Sequence, residues 1–361
     1  MNNLEIVFVH LGKSKSSVLI PNMQLIHCMF PQNSINCIVT EDFNSSEYMP
    51  DFVKIFTYKT SPAIDNIFKL KSIDPSFRNG FWRYSLERLI AIDSLHSKNT
   101  KVAYLHIESD NFLLPNFPLN KFSEVKQISW LPVNQVNDAA SLVFFPNHDL
   151  TQEFKADLLQ YMIDSVSPND MEGLSKIRQR FPNKYKLLPF SHSSLPLLNT
   201  KEIDLHVKSE VDFGGIFDGS KIGMWLTGID PRNFYGFLEL FATKKLSLDN
   251  SYIDPSVYKL RFSEKNELYF ENGDVQIFIY NLHIHSKSLR IFSKNWSNEI
   301  AYLISLSYKN KRQIKFYPRI LARLIVENLS KGTFLKFLYN SPLFDHIRQL
   351  RNFLKRINLN Y

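Results

Sequence analysis

The stretch Lys101–Asn116, KVAYLHIESDNFLLPN, contains a short apolar segment that runs directly into two carboxylates. Its first seven residues, Lys101–Ile107, are mainly aliphatic and aromatic, which is typical of a buried strand. Glu108, Ser109 and Asp110 follow at the point where that strand is expected to end. In open α/β sheets, ligands bind beyond the carboxyl ends of the parallel strands. This stretch therefore predicts a central strand with a polar site at its end.

Three apolar runs upstream of this stretch have the same character. They are Leu4–Leu11, Ile35–Thr40 and Val53–Tyr58. Between the third run and the stretch, apolar residues in positions 80–96 recur at spacings of three and four, which predicts a helix. Short apolar strands that alternate with helices predict a mixed α/β fold with a mainly parallel sheet.

The later part of the chain has a different pattern. A strand is predicted at Ser141–Phe145 and a helix at Leu150–Met162. Within residues 258–285, three strand-like runs, KLRF, ELYF and VQIFIYNLHIH, are separated by polar turns, and the dipeptide Asn272-Gly273 indicates a hairpin. The sequence therefore predicts an antiparallel β portion, followed by helices beyond Ser286.

Composition limits the class of protein. The chain has 361 residues, of which 44% are apolar, so it can bury one large core or two smaller ones. Cys28 and Cys37 are too few for a disulfide framework or a cysteine-rich zinc site, and they favour a reducing compartment. The N-terminus lacks the features of a secretory signal, and no segment reaches the roughly 20 apolar residues of a membrane span. We therefore expect a cytoplasmic protein.

Positive charge is concentrated in the C-terminal segment. The formal net charge is +8, but residues 309–361 carry +10 and the remainder carries −2. Apolar residues stand among those cations at helical spacing, which suits an anionic membrane surface. The alternative is that these helices pack on a catalytic domain and expose a solvated basic face. No recognisable nucleic-acid-binding module accompanies the charge, so nucleic acid is not an expected partner.

Two polar clusters have the residue types of a metal site. Glu108 and Asp110 stand two positions apart, so on a strand both point into one cleft, where paired carboxylates bind hard divalent cations together with substrate phosphates. His283 and His285 also share a face of a predicted strand, with Lys287 beside them. Each cluster has a plainer interpretation, in which the acids end a strand in a solvated loop and the histidines form structural hydrogen bonds.

Two further segments have the composition of ligand-binding loops. The glycine-richest stretch of the chain contains Asp218 and Asp230, and glycines permit a ligand to approach the backbone closely. Both aspartates also fit ordinary turns. Arg78 and Arg83 flank a predicted helix N-terminus, which is a place where anions bind. In the alternative, Trp82 and its aromatic neighbours pack, and both arginines stay in solvent.

Taken in order, these motifs resemble the nucleotide-sugar-dependent glycosyltransferases of the GT-A type, especially the bacterial enzymes that build surface polysaccharides such as capsule and O-antigen. In that family an Asp-x-Asp motif follows a central strand and binds the Mn²⁺ or Mg²⁺ that bridges the diphosphate of the donor. The segment YLHIESDNFLLPN, Tyr104–Asn116, is similar to that motif, with Glu108 in place of the first aspartate. The resemblance covers about residues 4–290.

The resemblance implies roles for individual residues. Asp110 and His285 would hold the metal ion, with support from Glu108. Asp218 or Asp230 would accept the proton of the acceptor hydroxyl. The donor-binding residues that it implies are Val9, His10, Leu11, Arg78, Trp82, Arg83, Glu108, Ser109 and Lys287.

The resemblance also implies an organisation and a reaction. Residues 1–290 would form a GT-A-like catalytic domain, with the donor side at about 1–120 and the acceptor side at about 121–290, and residues 291–361 a basic helical segment. The implied reaction moves a sugar from a nucleotide-sugar donor to a glycan or lipid-linked acceptor, in the cytoplasm or at the inner face of the cell membrane. Two alternatives stay open: a non-catalytic membrane or nucleic-acid adaptor that acts through the basic tail, and a metal-dependent phosphohydrolase.

Overall fold

A computed structural model of the chain describes residues 4–12, 16–41, 43, 49–71, 77–133, 136–190, 209–227 and 259–309. Asp230 and most of the basic C-terminal segment lie outside these residues, so the predictions on them stay predictions. The described residues, apart from 307–309, belong to one unit of the chain. The predicted domain boundary near residue 290 also stays a prediction.

Short strands and longer helices alternate along the first half of the chain. The strands are β1 (Leu4–His10), β2 (Ile35–Thr40), β3 (Val53–Tyr58), β4 (Ala103–Ile107), β5 (Asn111–Leu113), β6 (Ser129–Pro132), β7 (Asp138–Phe145), β8 (Lys186–Leu187), β9 (Gly215–Ile216), β10 (Lys259–Phe262), β11 (Leu268–Asn272), β12 (Val275–Ile279) and β13 (Asn281–His283). The helices are α1 (Leu19–Met29), α2 (Pro62–Lys69), α3 (Phe81–His96), α4 (His148–Asp164), α5 (Asp170–Arg180), α6 (Lys221–Thr227) and α7 (Trp296–Lys309).

A seven-stranded sheet forms the centre of the fold, in the order β3-β2-β1-β4-β7-β6-β8. The first four strands pair in parallel, and β6 pairs with β8 in parallel. β7 runs antiparallel to both of its neighbours, β4 and β6. The expected mixed α/β fold with a mainly parallel sheet is confirmed. The parallel arrangement places the carboxyl ends of β1 and β4 side by side.

The strand and helix bounds follow the apolar pattern closely. β2 and β3 have the predicted bounds, β1 ends one residue earlier than predicted, and β4 begins two residues later. β7 and α4 both extend beyond the predicted segments. The predicted helix before the acidic stretch forms as α3. Local sequence therefore determines where these elements lie, and packing adjusts their ends.

Side chains of β1 alternate between two layers of the core. Ile6 and Phe8 are buried in the layer that contains α1, whereas Val7 is buried in the layer that contains α3 and α4. Helices therefore cover both faces of the sheet, which explains why its strands are apolar on both faces. None of the helices in the described part of the chain has the length and apolar character that a membrane span needs.

An antiparallel portion forms as predicted, but it is divided between two small sheets. β11 and β12 form the hairpin at Asn272-Gly273 and belong to a sheet in the order β10-β11-β12-β9. The prediction of one strand over VQIFIYNLHIH is wrong, because the chain changes partner at Tyr280. The N–H of Tyr280 donates to the carbonyl of Ile216 at 3.0 Å, and the carbonyl of Tyr280 accepts from the N–H of Leu114 at 2.9 Å. β13 then pairs with β5, directly after the acidic stretch.

Candidate metal centre

The pairing of β5 with β13 brings two distant polar segments together. In this antiparallel pair His283 lies opposite Asn111, and the N–H of Ile284 donates to the carbonyl of Asp110 at 2.8 Å. Glu108 is held at the end of β4, where its N–H donates to the carbonyl of Ser141 at 2.9 Å. The backbone therefore fixes the carboxylates and the histidine segment beside each other.

Glu108, Asp110 and His283 form a group with the donor set of a metal site. Each offers one ligand atom, and these atoms all lie within 4.8 Å of one another. The Nε2 atom of His283 is 3.1 Å from Glu108 Oε2 and 3.6 Å from Asp110 Oδ1. Two carboxylate oxygens and one imidazole nitrogen suit a divalent cation such as Mn²⁺. The residues present therefore fit the metal ion that the sequence predicts.

The orientation of the His283 ring is fixed by a second contact. Its Nδ1 atom lies 2.7 Å from the carbonyl oxygen of Gly219. A carbonyl only accepts hydrogen bonds, so Nδ1 carries the proton that is donated there. Nε2 therefore faces the carboxylates, and its lone pair becomes available to a cation when Nε2 is deprotonated.

His285, which the resemblance implies as the imidazole ligand, lies beside the cluster. Its ring centroid is 4.1 Å from that of His283, and its Nε2 atom is buried with no hydrogen-bond partner among the described residues. Burial, with the nearby charge of His283, lowers the pKa of His285 to about 3, so the ring is neutral. The group within ligand distance includes His283 and does not include His285. The imidazole that the fold places with the two carboxylates is therefore that of His283, and a ligand role for His285 stays a prediction.

Charges in the cluster offset one another. Burial raises the pKa of Asp110, but His283 and Lys287 outweigh this effect and lower it to about 2. Burial also raises the pKa of Glu108, but Arg88 and His283 hold it well below its usual range. Burial lowers the pKa of His283, but the two carboxylates raise it well above its usual range. Without a cation, the cluster therefore contains an imidazolium between two carboxylates.

The raised pKa of His283 predicts a pH dependence of stability. The folded protein keeps a proton on His283 that the unfolded chain loses above about pH 6.5. This contribution to the free energy of unfolding is fully present below that pH and is lost as pH rises through the raised pKa. We expect His283→Gln to lack it. Urea denaturation of both proteins in EDTA, between about pH 6 and pH 9, measures the difference. Identical pH profiles would contradict the ion pairing.

Arg88 is a member of the cluster that the sequence analysis did not identify. It lies on α3, where its Nη1 contacts Glu108 Oε1 and its Nη2 is 2.7 Å from Asp170 Oδ2. Its helix neighbours three and four positions on, Ala91 and Ile92, are buried and apolar. An arginine on a buried helix face requires a carboxylate partner, and that placement is the feature that could have identified Arg88 from sequence.

Lys287 follows the cluster in a tight turn. Its N–H donates to the carbonyl of Ile284 at 2.9 Å, and its backbone is left-handed, with a φ of 52°. The turn places the Lys287 ammonium 3.4 Å from Asp110 Oδ2, on the oxygen that does not face His283. A positive charge therefore lies beside Asp110, on the side away from His283.

Asp218 has a structural role in this fold. Its side chain is buried, and its two oxygens accept hydrogen bonds from the backbone N–H groups of four residues: Ser220, Ile222, Gly223 and His283. An ionised carboxylate has about four acceptor positions, so all of them are occupied. These bonds cap the start of α6 and fix it to β13. These bonds occupy the carboxylate of Asp218, whose catalytic role stays a prediction, and Asp230 lies outside the described residues.

The expected donor-side residues surround the ends of β1 and β4. Val9 and His10 are the last residues of β1, and Leu11 follows them; all three are partly buried. The hydroxyl of Ser109 is 3.0 Å from that of Ser16, which joins the segments that follow the two strands. These positions fit a ligand laid across the two strand ends, and the donor-binding roles stay predictions.

The residues at the start of α3 have partners within the protein. Arg83 lies 2.6 Å from Asp65 and 3.0 Å from Glu87, so its charge is offset by two carboxylates. Trp82 stacks on Phe77, with ring centroids 5.5 Å apart. Arg78 lies in the 3₁₀ turn that precedes this helix, and its side chain lies outside the described atoms. Their contribution to donor binding stays a prediction.

Comparison with known proteins identifies similar solved structures. No protein-family model and no curated protein matches the chain. The galactosyltransferase LgtC, in complex with donor and acceptor sugar analogues, is similar over 53% of this chain and 74% of its own, at 8% identity and a TM-score of 0.37. Mouse xyloside xylosyltransferase 1 is similar over 58% of this chain and 93% of its own, at 11% identity and a TM-score of 0.35.

A third similar structure is a glycosyltransferase involved in the glycosylation of the major capsid of PBCV-1. It is similar over 51% of this chain and 80% of its own, at 10% identity and a TM-score of 0.32. These neighbours are glycosyltransferases. Since the identities and TM-scores are low, the function below is proposed from the geometry of the metal centre.

Proposed function

We propose that this chain is a divalent-metal-dependent glycosyltransferase, which moves a sugar from a nucleotide-sugar donor to a glycan or lipid-linked acceptor. The observation that carries the proposal is the grouping of Glu108, Asp110 and His283 at the carboxyl end of a central parallel strand. Ligands of α/β sheets bind at that edge. Three protein ligands leave coordination positions for the phosphate oxygens of a donor.

Each residue of the cluster has a distinct role in this proposal. Mn²⁺ or Mg²⁺, bound by Glu108, Asp110 and His283, would supply positive charge for the nucleoside diphosphate that leaves in the reaction. The carbonyl of Gly219 keeps Nε2 of His283 directed at the cation position. Lys287 presents its ammonium on the far side of Asp110, where it would contact a phosphate oxygen of the donor.

The donor position follows from the neighbouring strand ends. β1 and β4 are adjacent and parallel, so a nucleoside diphosphate held at the cation extends toward the end of β1. We propose that Val9, His10 and Leu11 contact the base and ribose there. We propose Asp230, which lies outside the described residues, as the acceptor-side base.

The basic C-terminal segment supports a second part of the proposal. Residues 309–361 carry +10, and each cation near an anionic membrane surface contributes about 1 kcal/mol of binding. We propose that the enzyme works in the cytoplasm at the inner face of the cell membrane, on a lipid-linked acceptor in surface-polysaccharide biosynthesis. Cosedimentation of the full chain with anionic vesicles tests this part.

A thermal-shift screen of nucleotide sugars tests the main proposal. A ligand that binds only the folded protein raises its unfolding temperature, so one nucleotide sugar is expected to do so in the presence of Mn²⁺ and not in EDTA. Mass spectrometry of a reaction with that donor should then detect a glycosylated product. A phosphohydrolase would instead release phosphate from simple esters without a sugar donor. An adaptor would show neither reaction.

Replacing Lys287 by methionine is expected to weaken donor binding alone. The variant loses one charged contact to phosphate, so the Kd for the nucleotide sugar should rise about tenfold. The Kd for Mn²⁺ should stay equal or fall, because a positive charge beside Asp110 is removed. Isothermal titration of each ligand measures the two values. Lys155→Met is a matched control, since Lys155 also pairs with an aspartate, Asp93, at 2.7 Å. Equal donor affinity in wild type and Lys287→Met would contradict the phosphate contact.

A further inference from the structure

Glu108 uses its two oxygens for different partners. Oε2 faces the cation position and lies 3.1 Å from His283 Nε2, whereas Oε1 contacts the guanidinium of Arg88. The second arm of that guanidinium, Nη2, lies 2.7 Å from Asp170 Oδ2. Arg88 therefore bridges the metal-centre glutamate and the first residue of α5.

The bridge is held at both ends by buried charge. The side chain of Arg88 is 14% exposed and that of Asp170 is 8% exposed. Separating a buried ion pair leaves an uncompensated charge, which is strongly unfavourable. The N-terminus of α5 also favours a negative charge at Asp170, whose helix is capped by the side chain of Asn169. Arg88 therefore has little freedom to leave Glu108 Oε1.

An engaged Oε1 restricts how Glu108 can bind a cation. Ca²⁺ takes six to eight oxygen ligands and commonly uses both oxygens of a carboxylate, whereas Mg²⁺ requires a smaller octahedral arrangement. Carboxylate ligands suit Mn²⁺ as they do Mg²⁺, and the imidazole of His283 adds a nitrogen ligand. A glutamate with only one available oxygen disfavours the larger shell.

We propose that Arg88 is a positioning residue that keeps Glu108 a one-oxygen ligand, and that the Arg88–Asp170 bridge thereby makes the centre select Mn²⁺ or Mg²⁺ over Ca²⁺. The inference rests on the proposed function, because it concerns the same cation position. It adds a role for Asp170, which contributes no ligand atom, and it links cation choice to the helix that begins there.

The ratio of the Ca²⁺ and Mn²⁺ dissociation constants tests this inference. Both constants are measured on the full chain by isothermal titration without donor, in wild type, Arg88→Lys and Asp170→Asn. Lysine is a point charge that cannot hold both carboxylates. Arg88→Lys should therefore bind Ca²⁺ more tightly, and the Kd for Ca²⁺ divided by the Kd for Mn²⁺ should fall about tenfold. Asp170→Asn removes only the charged partner of Arg88 Nη2 and should lower the same ratio about threefold. A purely structural arginine would change stability and leave this ratio unchanged.

Arg178→Lys is the matched control. Arg178 is likewise a nearly buried helix arginine, and it holds both oxygens of Asp138, which does not belong to the metal centre. Its substitution should leave the ratio unchanged. An unchanged ratio in folded Arg88→Lys and Asp170→Asn would overturn the inference, and so would a wild type that binds Ca²⁺ as tightly as Mn²⁺. If Arg88→Lys fails to fold, the ratio measured in Asp170→Asn alone tests the inference, and an unchanged ratio there overturns it.

The two proposals fail in different ways. A wild type that binds neither cation would overturn the metal centre itself, and the inference with it. A wild type that binds Mn²⁺ normally, with variants of unchanged ratio, would overturn only the role of Arg88.

Discussion

Asp110→Asn is expected to remove cation binding and sugar transfer together. Asparagine keeps the shape of the side chain but replaces a carboxylate ligand by a neutral amide. The Kd for Mn²⁺ should rise by at least about 100-fold, since even the partners behind metal ligands contribute 10- to 100-fold. Turnover should fall by about 1,000-fold, the scale on which a lost charge-stabilising contact slows a reaction. Isothermal titration and a transfer assay measure the two effects.

The fold should survive this substitution. The backbone carbonyl of Asp110 accepts from Ile284, and that bond does not involve the side chain. The unfolding temperature of Asp110→Asn in EDTA should therefore fall only by the lost pairing with His283 and Lys287, and cooperative unfolding should be retained. Asp164→Asn is the control, because Asp164 is an exposed aspartate at the end of α4, 4.0 Å from Arg180 and accepting a hydrogen bond from the exposed Gln160. Wild-type Mn²⁺ affinity in Asp110→Asn would refute the proposed metal centre.

Gly223→Ala is expected to damage both stability and the metal centre. A Cβ atom at this position would lie 2.1 Å from the carbonyl oxygen of His283 and 2.6 Å from its carbonyl carbon. Backbone atoms cannot turn aside as a side chain does, so α6 or β13 must move. Overpacking of this kind costs about 3 kcal/mol of unfolding free energy or more. His283 moves with β13, so the Kd for Mn²⁺ should rise as well.

Gly219→Ala is the matched control for this variant. Gly219 lies four positions earlier, and its added Cβ would be 3.6 Å from the Cβ of Ala139, which is an ordinary van der Waals distance. Its carbonyl remains available to the His283 ring. We expect a change of less than about 1 kcal/mol. Urea denaturation of both variants measures the difference, and equal stabilities would show that α6 and β13 are not in close contact.

Apolar pattern alone predicted five of the seven strands of the central sheet, β1, β2, β3, β4 and β7, but not β6 or β8. β2 is buried along nearly its whole length, as expected of a central strand of a parallel sheet. β3 lies at the edge of the sheet, where Val53 and Tyr58 are buried but Lys54, Ile55 and Thr57 are exposed. The same pattern placed Glu108 and Asp110 at a strand end, where ligands of such sheets bind. For these residues, local sequence determines both the element and the position of the site within it.

Other features depend on contacts between distant residues. Spacing showed that His283 and His285 share a face, but only the pairing of β13 with β5 determines which ring faces the carboxylates. β12 ends just before Tyr280, whose backbone is hydrogen-bonded to Ile216 on one side and to Leu114 on the other. No local sequence pattern predicts this change of partner. The sequence analysis did not identify Arg88, since its partners, Glu108 and Asp170, come from elsewhere in the chain.

The two-stranded pairing of β5 with β13 has a consequence for biosynthesis. Asn111 and Asn281, which are hydrogen-bonded side chain to side chain at 2.7 Å, are 170 positions apart. A ribosome that has finished the first five strands has produced both carboxylates but not the imidazole that completes their group. Long-range pairing of this kind comes late in folding. At the proposed metal centre, the full ligand group would therefore exist only after translation has passed His283, so a nascent chain stalled before that point would lack it.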